Sequence, residues 1–82
     1  MNTLLQIERI YRLHLLIKQE CTGSSADLAI RLHVSQRSVQ LYISELRELG
    51  ATINYDSLHR TYYYVNDFEF NYIFNIAVKE RE

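Results

Sequence analysis

Two glycines and no proline punctuate this chain of 82 residues, and each glycine stands where one hydrophobic period gives way to another. Before Gly23, apolar residues at Ile7, Ile10, Leu13 and Ile17 keep the three-and-four spacing of one helical face, which predicts a helix from about Thr3 to Glu20. Between the glycines that spacing recurs twice. Ser24 followed three residues later by Asp27 is a relative of the capping box, and Leu28, Ala29 and Leu32 then supply the buried face of a short helix ending near His33. Ser35 is a second start signal. As an N-cap it opens a helix that buries Val39, Ile43 and Leu46, flanked by Tyr42 and Leu49, and Gly50 follows the last turn, where a left-handed C-cap is expected. After Gly50 the period drops to two. Thr52-Ile53-Asn54-Tyr55 and Thr61-Tyr62-Tyr63-Tyr64-Val65 read as strands, with Asp56 to Arg60 as the hairpin tip.

The tail carries two patterns at once. Phe68, Phe70, Tyr72, Phe74, Ile76 and Val78 occupy every even position and argue for a strand after a tight turn at Asn66-Asp67. Phe70, Ile73, Phe74 and Ala77 also fit a helical face, and Asn66 with Glu69 suits a helix start. The alternation is the more complete pattern, so a strand is expected. At about eleven residues it outruns the hairpin strands it would pair with, so its overhang is an exposed apolar edge unless a second chain covers it. Phe70, Tyr72, Phe74 and Ile76 are therefore the expected dimerisation residues, and the chain divides into a domain at 1–66 and an extension at 67–82.

Three helices and then a β-hairpin within about 65 residues make an α+β chain with the plan of a winged helix-turn-helix, completed by the C-terminal strand or helix. The stretch from Ala26 to Val39 carries the physical logic of that motif. A short helix, a tight turn and a second helix cross at a steep angle; Ala29 allows close approach, Val34 plugs the turn, and Ser35 caps the second helix.

Charge limits what such a domain does. Nine Lys and Arg against ten Asp and Glu leave a net charge of −1, which excludes holding nucleic acid by bulk electrostatics but not by a few placed arginines. Residues 1–66 hold seven basic and six acidic side chains, a net of +1, and residues 67–82 hold two and four, a net of −2. The acidic excess belongs to the extension. A single cysteine, Cys21, cannot form an internal disulfide, no stretch approaches the roughly 18 apolar residues of a membrane helix, and no secretory signal is apparent, so a cytoplasmic protein is expected.

The sequence resembles the bacterial winged-helix regulators grouped as DeoR-like or biotin-repressor-like. The resemblance runs through Ser24, Asp27, Leu28 and Ala29, continues with Val34, Ser35, Arg37, Ser38, Val39 and Ile43, and closes on Leu46 and Gly50, covering about Ile7 to Val65. It implies sequence-specific binding of double-stranded DNA in transcription regulation, with the helix at about 36–48 in the major groove and the hairpin at about 51–65, the wing, on the backbone or in the minor groove. Two departures stand out. Leu41-Tyr42 replaces an Arg-Asp pair frequent in the family, removing a groove-side arginine, and His33 occupies a turn position where glycine is frequent and positive φ is expected.

With Val39, Ile43 and Leu46 inward, the outer side of the second motif helix carries Arg37, Gln40, Leu41, Ser44 and Glu48, with Gln36 and Arg47 at its edges. Arginine pairs with guanine O6 and N7, glutamine with adenine, and an exposed leucine meets a thymine methyl. Ser35, Gln36, Arg37, Ser38, Gln40, Leu41, Ser44 and Arg47 are thus the expected DNA contacts on the helix, and Arg60 the expected contact on the wing. The competing reading is a winged-helix module that has lost DNA binding and docks protein through Leu41 and Tyr42.

Other chemistry is poorly represented. His14, His33, His59 and Cys21 lack metal-ligand spacing, so neither metal nor cofactor is expected. Asp56, Ser57 and His59 have the residue types of a hydrolase triad but crowd one hairpin tip, and no glycine-rich phosphate loop is present, so catalysis is not expected. Nor is a small-molecule ligand.

Overall fold

The computed structural model describes residues 3–68. They form three helices and a two-stranded antiparallel hairpin: α1 (Thr3–Lys18), α2 (Ser25–Leu32), α3 (Gln36–Glu48), β1 (Ile53–Asp56) and β2 (Thr61–Tyr64). This is the winged helix-turn-helix expected from the sequence, and the part of the chain expected to dimerise, with Phe70, Tyr72, Phe74 and Ile76, lies outside the described residues.

Each helix buries most of the stripe its spacing predicts, with Ile7 of α1 only half-buried against it. Ile10, Leu13 and Ile17 of α1, Leu28, Ala29 and Leu32 of α2, and Val39, Ile43 and Leu46 of α3 meet in one core, closed from the wing side by Ala51 and Ile53. Tyr42, expected at the flank, is itself in the core at 6% exposure. Val34 packs half-buried against this cluster from the turn. Ala29 is buried in this core, where a larger side chain would overpack.

The helix ends repeat one device. Cys21 N–H bonds Leu16 O at 3.1 Å and Glu20 N–H bonds Ile17 O at 3.0 Å; Val34 with Ala29 and His33 with Ile30, then Ala51 with Leu46 and Gly50 with Arg47, form the same pair of bonds. These are Schellman closures, and each turns on a residue of positive φ: Glu20 at 54°, His33 at 57° and Gly50 at 113°. The expected left-handed histidine is therefore present. α1 ends two residues earlier than its periodicity implied because Glu20, not Gly23, makes the turn. Gly23 serves the next helix instead. It has φ +71°, and a Cβ there would lie 2.6 Å from the Asp27 carboxylate that caps α2.

In the wing, Ile53 faces Tyr64 and Tyr55 faces Tyr62, while Asn54 faces Tyr63 and Asp56 faces Thr61. Cross-strand partners share a side, so Tyr62 and Tyr64 lie on the face of Ile53 and Tyr63 on the other. Polar contacts fasten the hairpin to the rest of the domain. Thr22 and Thr61, both essentially inaccessible, exchange bonds: Thr22 N–H donates to Thr61 Oγ1 at 3.1 Å, and Tyr62 N–H donates to Thr22 Oγ1 at 2.8 Å. The buried His14 meets the Tyr64 hydroxyl at 2.7 Å, and burial holds the Tyr64 phenol well above its ordinary pKa. Asn66 clamps the hairpin base, its amide donating to Gly50 O and accepting from Thr52 N–H. Phe68, the first apolar residue of the extension, packs against His14 and Tyr64 and so adds to the domain.

Candidate nucleic-acid interface

The start of α2 fixes the motif. Ser24 Oγ accepts from Asp27 N–H while the Asp27 carboxylate accepts from Ser24 N–H at 2.9 Å, a complete capping box. Those bonds hold the Asp27 carboxyl below its ordinary pKa, the Ser24 amide first and the Ser24 hydroxyl next, with Arg60 and Arg31 adding their positive field. Arg60 stands at the wing tip, exposed. Its own φ of 53° belongs to the turn into β2.

α3 begins with Ser35, whose Oγ accepts from Ser38 N–H at 3.1 Å. Its hydroxyl also donates to Ser38 Oγ at 3.1 Å, so two of the expected contact residues are engaged in building the helix start. Gln36 accepts from Ser25 across the turn at 3.3 Å. Beyond them the outer row is open: Arg37, Gln40, Leu41 and Ser44 are all exposed, Leu41 at 55%. Arg37 makes no hydrogen bond or ion pair among the described residues, leaving its whole donor fork available one turn into the helix.

Arg47, expected beside Arg37 as a contact, is used differently. Its Nη2 donates to Ile53 O at 2.9 Å and ties the end of α3 to the first wing strand. Gln40 makes the other link from α3 to the hairpin, with Nε2 3.5 Å from the Tyr62 hydroxyl. Arg31 of α2 donates to Cys21 O at 2.7 Å. Backbone carbonyls thus occupy two guanidinium groups of the motif, and the open ones are Arg37 and Arg60. In the last turns Glu45 is partly buried, which with the Glu48 charge raises its carboxyl pKa. The wing tip is an Asx turn: Asp56 accepts from Leu58 and His59 N–H and meets His59 Nδ1 at 2.6 Å, bonds that lower the Asp56 carboxyl pKa.

Reasoning from the sequence gave Asn66 only as a turn or helix-start residue and Tyr62 only as a wing-strand residue, and did not single out Thr22. Nothing in the local pattern marks the threonine pair, whose members lie 39 residues apart, and Tyr62 is distinguished from its tyrosine neighbours only by strand register.

A scan against protein families gives one decisive match: the HTH domain model covers residues 8–57. The chain belongs to the HTH domain family. It is a DNA-binding helix-turn-helix protein at that level of description. No curated protein and no solved structure matches it. In this HTH domain the family match spans most of α1, then α2, the turn, α3 and the first wing strand; it includes Arg37 and stops short of Arg60. No helix among the described residues is long and apolar enough to cross a membrane, and no three potential metal ligands among them converge.

Proposed function

We propose that this HTH domain reads a specific sequence in double-stranded DNA as part of a cytoplasmic transcriptional regulator, acting by binding rather than catalysis. One observation carries the reading: the unengaged Arg37 fork at the head of an exposed Arg37-Gln40-Leu41-Ser44 row, on a helix whose opposite face is core. α3 enters the major groove, Arg37 pairs with a guanine edge, and Leu41 meets a thymine methyl. Ser35, Gln36 and Ser38 offer the first turn's polar groups to a phosphate, and Arg60 reaches the backbone or minor groove from the wing. With Arg37 and Arg60 as the open guanidinium groups of α3 and the wing tip, counterion release there is small and a shallow salt dependence per monomer is expected.

Two copies on one site offset that weak single-copy hold. The extension at 67–82 is the proposed dimerisation element, through Phe70, Tyr72, Phe74 and Ile76. Solution mass of the full chain against residues 1–68 tests it, since Phe68 belongs with the core. A dimer that becomes a monomer on truncation supports the proposal, and an unchanged mass sinks it.

A protein-docking surface around Leu41 is the competing reading. Its other anchor, Tyr42, is in the core, so the apolar surface it needs is reduced to one side chain. Selection from a random duplex pool at two salt concentrations separates the readings. The DNA proposal expects an enriched sequence that Arg37→Ala loses; absence of any enrichment refutes it.

A further inference from the structure

We infer that Tyr62 is a positioning residue for base recognition: its hydroxyl presets the Gln40 amide so that Gln40 selects adenine at one position of the site. The inference rests on the proposed reading of DNA by α3. Gln40 occupies the middle of the exposed row, between Arg37 one turn earlier and Ser44 one turn later. Its Nε2 lies 3.5 Å from the Tyr62 hydroxyl, a contact spanning 22 residues and joining two separate elements.

Tyr62 is suited to act as a fixed point. Its backbone N–H is held by the buried Thr22 hydroxyl at 2.8 Å, and its ring meets Tyr55 edge-on with centroids 4.8 Å apart. A free glutamine samples three torsions before it can present a flat amide to a base, and ordering them costs binding free energy. A bond from one N–H of Gln40 to a fixed hydroxyl removes part of that cost in advance. It also leaves the right groups over. Bidentate pairing with adenine uses Oε1, accepting from N6–H, and one N–H, donating to N7. The second N–H of the amide is spare in that pair, and Tyr62 is its partner. Turned over, the amide would accept from the same hydroxyl through Oε1, so the preference for adenine comes from the bidentate pair and the hydroxyl supplies the ordering.

The test selects sites from a random duplex pool with the full chain, its Gln40→Ala variant and its Tyr62→Phe variant, then compares base preference column by column. Tyr62→Phe keeps the ring and removes only the hydroxyl. The expected result is one adenine column that Gln40→Ala erases and Tyr62→Phe weakens about fivefold, the worth of one hydrogen bond, with the other columns unchanged. A second measurement changes the DNA instead: replacing that adenine by 7-deazaadenine removes N7 and is expected to weaken wild-type binding about fivefold and Gln40→Ala binding not at all. A Gln40 column preferring another base, an unchanged column in Tyr62→Phe, equal weakening of every column, or no 7-deaza penalty each overturns the assignment. A wild-type pool with no enriched sequence overturns the DNA reading itself, a distinguishable failure.

Discussion

The two ends of α3 each carry an arginine, and the fold uses them in opposite ways. Arg37, in the first turn, has no partner among the described residues; Arg47, in the last, gives its guanidinium to the Ile53 carbonyl. Both are exposed and both belong to the same helix, so residue type and exposure alone do not separate a base contact from a brace. The neighbour decides. Near Arg47 the chain turns back as the wing and brings an unpaired strand-end carbonyl within reach, while near Arg37 the chain has just left the helix-turn-helix corner and offers none. The domain thereby spends one cation on aiming the wing and keeps another for the ligand.

The sharpest way to break the comparison is Arg37→Ala. Losing a bidentate base contact removes about 1–3 kcal/mol, so affinity for the selected site should fall at least fivefold while affinity for unrelated duplex changes little. Thermal unfolding should stay within experimental error of wild type, because the side chain contacts nothing it would leave unsatisfied. A drop in melting temperature with unchanged DNA affinity would reverse the roles of the two arginines.

Arg47→Ala should show the complementary pattern. Removing a charged donor from the Ile53 carbonyl is expected to cost ~1.5 kcal/mol, at the low end because the site is open to water. The loss should appear as a lower urea midpoint and faster amide exchange across β1 and β2, with base preferences conserved at every column. Loss of one specific column in Arg47→Ala would show that this arginine reads DNA after all.

Ser35→Ala probes the same contrast from the helix start. Its hydroxyl caps Ser38 N–H, and removing such a cap costs ~1 kcal/mol. The first turn, which carries Arg37, should fray, so specific affinity should drop by about twofold, less than for Arg37→Ala, while the Arg47 end keeps its protection from exchange. Uniform destabilisation of both helix ends would contradict independent roles.

How far the sequence revealed all this depends on the range of the forces involved. Ser24, Asp27, Ser35 and Gly50 act on backbone groups within a few residues, and the apolar stripes of α1, α2 and α3 repeat at helical spacing, so these parts were legible. The family resemblance around Val34 to Val39 added the expectation of DNA. Tyr42 was legible as apolar but not as core, because its position on the wheel borders the buried arc. The end of α1 was misjudged for a local reason: Glu20 accepts a positive φ that composition assigns to glycine. What no pattern showed were contacts between distant residues, Thr22 with Thr61, His14 with Tyr64, Gln40 with Tyr62 and Arg47 with Ile53. In the candidate site these long-range bonds distinguish a base contact from a brace, and each follows from strand register that the sequence leaves open.

The smallest expected effect concerns acid, and it brings in the third arginine of the interface. Asp27 lies in the field of Arg60 and Arg31 while accepting the bonds of the α2 cap, and its carboxyl titrates below the ordinary value of 3.8; Asp56, bonded to His59 and Leu58, also titrates below 3.8. A carboxyl whose folded pKa is depressed contributes stability that is present above its unfolded pKa and lost as pH falls through the folded one. Both contributions should therefore be complete at neutral pH and vanish below about pH 4. Carboxyl-carbon NMR should place both midpoints below 3.8. The consequences differ by location. Protonating Asp27 weakens the cap on which the motif rests and removes its charge from the field of Arg60, so signals of α2 and the wing tip are expected to move together. Protonating Asp56 should move only the tip at Leu58 and His59. In Asp27→Asn, therefore, the joint acid transition should disappear while the tip transition remains; if α2 still shifts with the tip, Arg60 is not oriented by Asp27 and its approach to DNA is set by the hairpin alone.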